Sequence, residues 1–129
     1  MTRQRREAIL QRAVLEAVAL THHFRAIEVD QNPVPGGGYQ AMTGHPDLEI
    51  IGGKHLKVKE DRTFYVELKT ATGRLSPKQI EWHERATDYG ASVYVCRSRL
   101  EVLKLCFEKN ERYGWTIDDG LDNLLRQLL

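Results

Sequence analysis

The segment Thr63 to Lys69, TFYVELK, sets Phe64, Val66 and Leu68 on one side and Tyr65, Glu67 and Lys69 on the other. That alternation is the period of a β-strand whose two faces meet different surroundings. Ser76-Pro77-Lys78-Gln79 then places a hydroxyl at a helix N-cap, proline at the first helical position and glutamine at the third. A helix therefore opens at Ser76, runs to about Tyr89 and stops at Gly90. Ala91 to Arg97 (ASVYVCR) is apolar on both faces and reads as a covered, interior strand.

Weaker signals complete the order of elements. Thr2 to Leu20 carries a helical stripe of Leu10, Val14, Ala17 and Val18, with Glu7 and Gln11 on the same side, so Glu7 is expected to point inward. His23 to Asp30 and Asp47 to Ile51 read as strands, and His55 to Lys59 as a further hairpin arm. Between them, Gln31 to His45 holds Pro33, Pro35 and Gly36-Gly37-Gly38 and reads as an irregular loop. Ser98 to Asn110 and Thr116 to Leu129 have helical spacing. The pattern predicts an α/β domain with a mixed central sheet flanked by helices.

At 129 residues the chain is expected to form one domain, residues 1–129. Its 41% hydrophobic content suffices for a core, and a net charge of +1 provides no global field for nucleic acid, so such a partner needs a local patch. Cys96 and Cys106 lie in apolar contexts without CxxC pairing, which argues against a disulfide framework or cysteine zinc site and for a reducing, cytoplasmic location. No run approaches a membrane span, and the charged N-terminus does not resemble a signal peptide. Gly36-Gly37-Gly38 and Gly52-Gly53-Lys54 lack the GxxxxGK[ST] string of a phosphate-binding loop, so no nucleotide cofactor is expected. The histidines show no metal-ligand spacing; His83 is a lone helix residue expected to pack rather than to catalyse, with a place at the edge of a site as the alternative because it falls one turn after Gln79.

The strongest chemical constellation is Pro46-Asp47 followed, after 19 intervening residues, by Glu67-Leu68-Lys69. Hard cations such as Mg²⁺ take oxygen ligands and keep several waters. Asp47, Glu67 and the Leu68 carbonyl can supply such ligands. The i, i+2 spacing on a strand brings Lys69 beside them, where an ammonium orients water and stabilises charge developing on a phosphate. Each residue also has a plainer reading: Pro-Asp is a common turn, and Glu with Lys on one strand face is often a solvated pair. Glu49 faces the same way as Asp47 and is an alternative ligand.

The motif order Gly44-His45-Pro46-Asp47-Leu48, Phe64-Tyr65-Val66-Glu67-Leu68-Lys69-Thr70, Gly73-Arg74-Leu75-Ser76-Pro77-Lys78-Gln79 and Gly90 resembles the VRR-NUC family of the PD-(D/E)XK nuclease superfamily. Glu7 and Gln11 resemble its opening helix, so the likeness spans about residues 7 to 98. The resemblance implies a restriction-endonuclease-like core and a nuclease dependent on Mg²⁺ or Mn²⁺, of the short stand-alone kind found in bacteria and phages. By the same resemblance Asp47 and Glu67 bind metal, Lys69 helps activate water, Glu7 completes the acidic shell and Gln79 approaches from its helix N-terminus. Gln79 equally reads as the closing residue of the capping box, and Glu7 as a helix-start acid.

Arg3, Arg5, Arg6, Arg74 and Lys78, together with Lys54, Lys57 and Lys59, are candidates to contact DNA phosphates without reading sequence. Structure-specific cleavage of branched DNA such as Holliday junctions, by a homodimer acting in DNA repair, is the expectation the resemblance carries. Leu121, Leu124, Leu125 and Leu128 suit either a dimer interface or the chain's own core. The competing expectation is a DNA-binding or assembly module that keeps the fold without catalysis.

Overall fold

The computed structural model describes residues 1–29, 44–53, 56 and 62–129. Most of the expected Gln31 to His45 loop, all but Leu56 of the His55 to Lys59 arm, and Lys54, Lys57 and Lys59 lie outside the described residues. The elements run α1 (Arg3–Ala19), β1 (Phe24–Glu28), β2 (Leu48–Gly52), β3 (Arg62–Leu68), α2 (Pro77–Asp88), β4 (Val93–Cys96), α3 (Arg99–Arg112) and α4 (Asp119–Leu128). Among the described residues the sheet has the order β1-β2-β3-β4, with β1, β2 and β3 antiparallel and β4 parallel to β3. This is the expected mixed sheet flanked by helices, compatible with a restriction-endonuclease-like core.

The alternation in β3 sorts the layers. Phe64, Val66 and Leu68 pack with Leu48 and Ile50 of β2, Val14 and Val18 of α1, Val102, Leu103 and Cys106 of α3, and Leu121 of α4. Helices α1, α3 and α4 thus cover one face of the sheet. On the other face Tyr65 meets Trp82 of α2 edge-on at 5.5 Å between ring centroids, and His45 packs on Trp82 at 4.6 Å. Leu124, Leu125 and Leu128 pack half-buried against the core, so the α4 leucines serve their own chain.

Local chemistry sets the helix ends. At α2 the capping box is complete: Gln79 N donates to Ser76 Oγ at 3.2 Å and Ser76 N donates to Gln79 Oε1 at 2.8 Å, an arrangement worth about 1 kcal/mol. Thr2, Ser98 and Asp118 cap α1, α3 and α4 by accepting from the backbone N–H groups of Arg5, Glu101 and Leu121. Asp118 does more. Its carboxylate also accepts from the backbone N–H groups of His22 and His23, both at 2.8 Å, so it ties the start of β1 to the start of α4.

One expectation needs correcting. The apolar run Ala91 to Arg97 does not mark an interior strand, because β4 is the last strand of the described sheet, with Val95 37% exposed. Its two apolar faces arise because α2 and α3 each pack against it. Burial of the faces encodes hydrophobicity; the open edge involves only backbone groups and leaves no mark on side-chain type.

Candidate active site

Antiparallel pairing of β2 with β3 opposes Leu48 to Val66. One step further, at the position just before β2, Asp47 stands across from Glu67. The contact is fastened by backbone, since Leu68 N donates to Asp47 Oδ2 at 2.8 Å. Gly44 shapes the approach. It holds φ at +85°, and a Cβ there would lie 2.3 Å from the carbonyl oxygen of Lys78. Only glycine lets the chain ahead of Asp47 run this close to the first turn of α2.

Glu67 and Lys69 sit on the α2 side of the sheet and are 1% and 6% exposed. Lys69 follows the last residue of β3, yet its N–H still donates to the Cys96 carbonyl at 3.1 Å, which keeps it in strand register. These residues open into a cavity of about 260 Å³ lined by Glu7, Asp47, Glu67, Leu68, Lys69 and Gln79, with Gln4, Ala8 and Gln11 from α1. The structure therefore brings together every residue expected at the chemical centre. Glu49, the alternative ligand, is not among the described residues lining this cavity.

Two acids directly opposed on neighbouring strands repel each other. Burial, the hydrogen-bond-range contact with Asp47 and the Asp47 charge push the Glu67 carboxyl up to about 9, with Glu7 adding slightly and Lys69 opposing. Without a cation Glu67 therefore holds a proton at neutral pH. Its Oε1 is buried with no hydrogen-bond partner, which marks a site built for something further. Among the described residues no three His, Cys, Asp or Glu side chains form a preformed metal cage. Asp47 and Glu67 are two carboxylates, the number and type of protein ligand that a hard cation such as Mg²⁺ takes alongside water.

The remaining expected residues are placed less centrally. Glu7 lines the cavity half-exposed, not core-buried, with Oε1 3.3 Å from Arg3 Nε. Gln79 lines the cavity and simultaneously closes the capping box, so its two readings coexist. Arg3, Arg5, Arg6, Arg74 and Lys78 are exposed. Gln4 was not expected at the site; its signal was the spacing 4, 7, 11 with Glu7 and Gln11 on one helix face.

An α/β fold that seats two acids and a lysine at the end of paired strands is compatible with a restriction-endonuclease-like core. The VRR-NUC domain family model matches residues 39–100, so this stretch, from ahead of Asp47 into α3, is a VRR-NUC domain. It contains Asp47, Glu67, Lys69 and Gln79 and leaves Glu7 outside. No curated protein and no solved structure matches the chain significantly. A VRR-NUC domain implies nuclease-type processing of DNA, with DNA as the partner. Among the described residues no helix is long and apolar enough to cross a membrane.

Proposed function

We propose that the protein is a Mg²⁺- or Mn²⁺-dependent endonuclease that hydrolyses DNA phosphodiester bonds, with branched DNA such as a four-way junction as its preferred substrate. The observation that carries this reading is the Asp47–Glu67 pair beside Lys69, with Glu67 and Lys69 buried, Asp47 half-buried, and one Glu67 oxygen left without a hydrogen-bond partner. Asp47, Glu67 and the Leu68 carbonyl would hold the metal, and Glu7 would add negative charge from the rim. The metal, when bound, supplies Lewis-acid polarisation of a phosphate oxygen and a more acidic water. Lys69 orients the attacking water and stabilises charge on the non-bridging oxygens as the P–O bond to the leaving group breaks. Gln79 approaches from the N-terminal turn of α2, whose dipole favours an anion. Exposed Arg3, Arg5, Arg6, Arg74 and Lys78 would bind flanking phosphates, contacts that position DNA without reading its sequence.

A non-catalytic module would gain nothing from setting a buried acid directly against a second acid, an arrangement that penalises ionisation of Glu67. Preference for branched DNA accords with the absence of a zinc finger or recognition helix from the sequence, and a symmetric dimer would let two sites nick opposing strands. Purified protein should cleave four-way junction, flap, nicked or linear DNA with Mg²⁺ and not with chelator. Asp47→Ala, Glu67→Ala and Lys69→Ala should each abolish cleavage; cleavage surviving in all three would refute the site. The sedimentation coefficient on and off DNA tests the dimer.

A further inference from the structure

The buried polar atoms that lack a hydrogen-bond partner include two that face each other: Glu67 Oε1 and His83 Nε2, 3.9 Å apart. Glu67 is 1% exposed and the His83 side chain 14% exposed, so water does not readily satisfy either atom. His83 lies on α2 one turn beyond Gln79, so a single helix face presents both side chains toward the acid pair. The ring is held in place from its own helix, with Trp82 packed edge-on against it at 6.3 Å between centroids. The gap is too short to admit a bridging water and about 1 Å too long for a hydrogen bond. A small inward movement of either side chain closes it. An ionised carboxylate is an acceptor only, and an N–H is the complement this oxygen lacks.

We infer that His83 is a positioning residue of the cation site, donating its Nε2–H to Glu67 Oε1 and fixing the carboxylate in the rotamer that presents its other oxygen to the metal. This inference rests on the metal-dependent nuclease reading above. Partners that orient a ligating carboxylate are worth about 10- to 100-fold in metal affinity. His83 touches neither DNA nor the reacting phosphate in this scheme, so its removal should act on metal binding before turnover.

The experiment compares wild type with His83→Leu and His83→Met, which fill the space without a donor, and with His83→Gln, which restores an N–H. MnCl₂ alone is titrated by calorimetry, and Mg²⁺ is titrated in a junction-cleavage assay. The donor-less variants should bind Mn²⁺ about 10- to 100-fold more weakly and need correspondingly more Mg²⁺ for half-maximal cleavage, with the rate at saturating Mg²⁺ within about 3-fold of wild type. His83→Gln should recover most of the affinity. Unchanged Mn²⁺ affinity in a folded donor-less variant overturns the role of His83, as does equal weakening in His83→Gln. If wild type itself binds no Mn²⁺ and Asp47→Ala changes nothing, the metal-site reading fails instead. Using both leucine and methionine keeps the outcome readable if one variant does not fold.

Discussion

Replacing Glu67 with glutamine isolates the proton that the acid pair retains. The Glu67→Gln change keeps the side-chain shape, and the new amide N–H can donate to Asp47 where the protonated carboxyl does. In the unfolded chain Glu67 ionises near its ordinary value of 4.5, whereas in the fold it does so at about 9. Its folded value is raised, so the stability linked to it is fully present below about 4.5 and is lost as pH climbs toward 9. Between those limits the native state binds one proton more than the unfolded state, with a ceiling of about 1.4 kcal/mol lost per pH unit. From about pH 7 to about 8.5 that amounts to about 2 kcal/mol, or about 8 °C in melting temperature for a domain of this size. The lowered His83 adds a slope of its own only below about 6.5, its ordinary value, so this window avoids it. Wild type should lose melting temperature across the window relative to Glu67→Gln in metal-free buffer, measured by calorimetry with chelator present. Saturating Mg²⁺ should remove the relative loss in wild type and leave the glutamine variant unmoved. A wild-type minus variant difference that stays flat across the window would show that Glu67 is not held protonated and would sink the reasoning.

Gly44→Ala should destabilise by about 2–4 kcal/mol, because it combines a positive φ with a Cβ forced onto the Lys78 carbonyl; urea melts will show it, and a loss under about 0.5 kcal/mol contradicts the close approach. Asp118→Ala removes a helix cap and leaves the His22 and His23 N–H groups without their acceptor, for a loss of about 2–4 kcal/mol with cleavage intact below the new melting point. Adding Mg²⁺ at about 100 times its dissociation constant should raise wild-type stability by about 2.7 kcal/mol, an increment absent in Asp47→Ala. Lys69→Ala should still show that Mg²⁺ increment while losing at least about 100-fold in cleavage rate; loss of both together would make Lys69 a structural residue.

The residues of the site are legible because strand period and helix capping are written in side-chain types. Phe64 to Lys69 names its two faces by alternation, and Ser76 to Gln79 announces the start of α2. What alternation cannot give is which strand lies beside which. That Asp47 stands across from Glu67 depends on the register of β2 on β3, set by backbone hydrogen bonds that any residue can make. For the same reason an apolar run does not disclose the edge position of β4. The pairing of His83 with Glu67 is also hidden, since it requires the angle at which α2 crosses the sheet. Buried Lys109, whose ammonium lies 4.9 Å from the Tyr94 ring centroid and 5.7 Å from that of Phe64, passes for a surface residue on composition alone.

Because β2 and β3 run in opposite directions, the connection between them leaves from Gly52 and returns at Arg62, at the end of the strands remote from Asp47 and Glu67. Its length is therefore decoupled from the spacing of the two acids. Insertions there leave the register that sets the two acids side by side untouched, so the same end offers a graft point for a fluorophore or a targeting peptide.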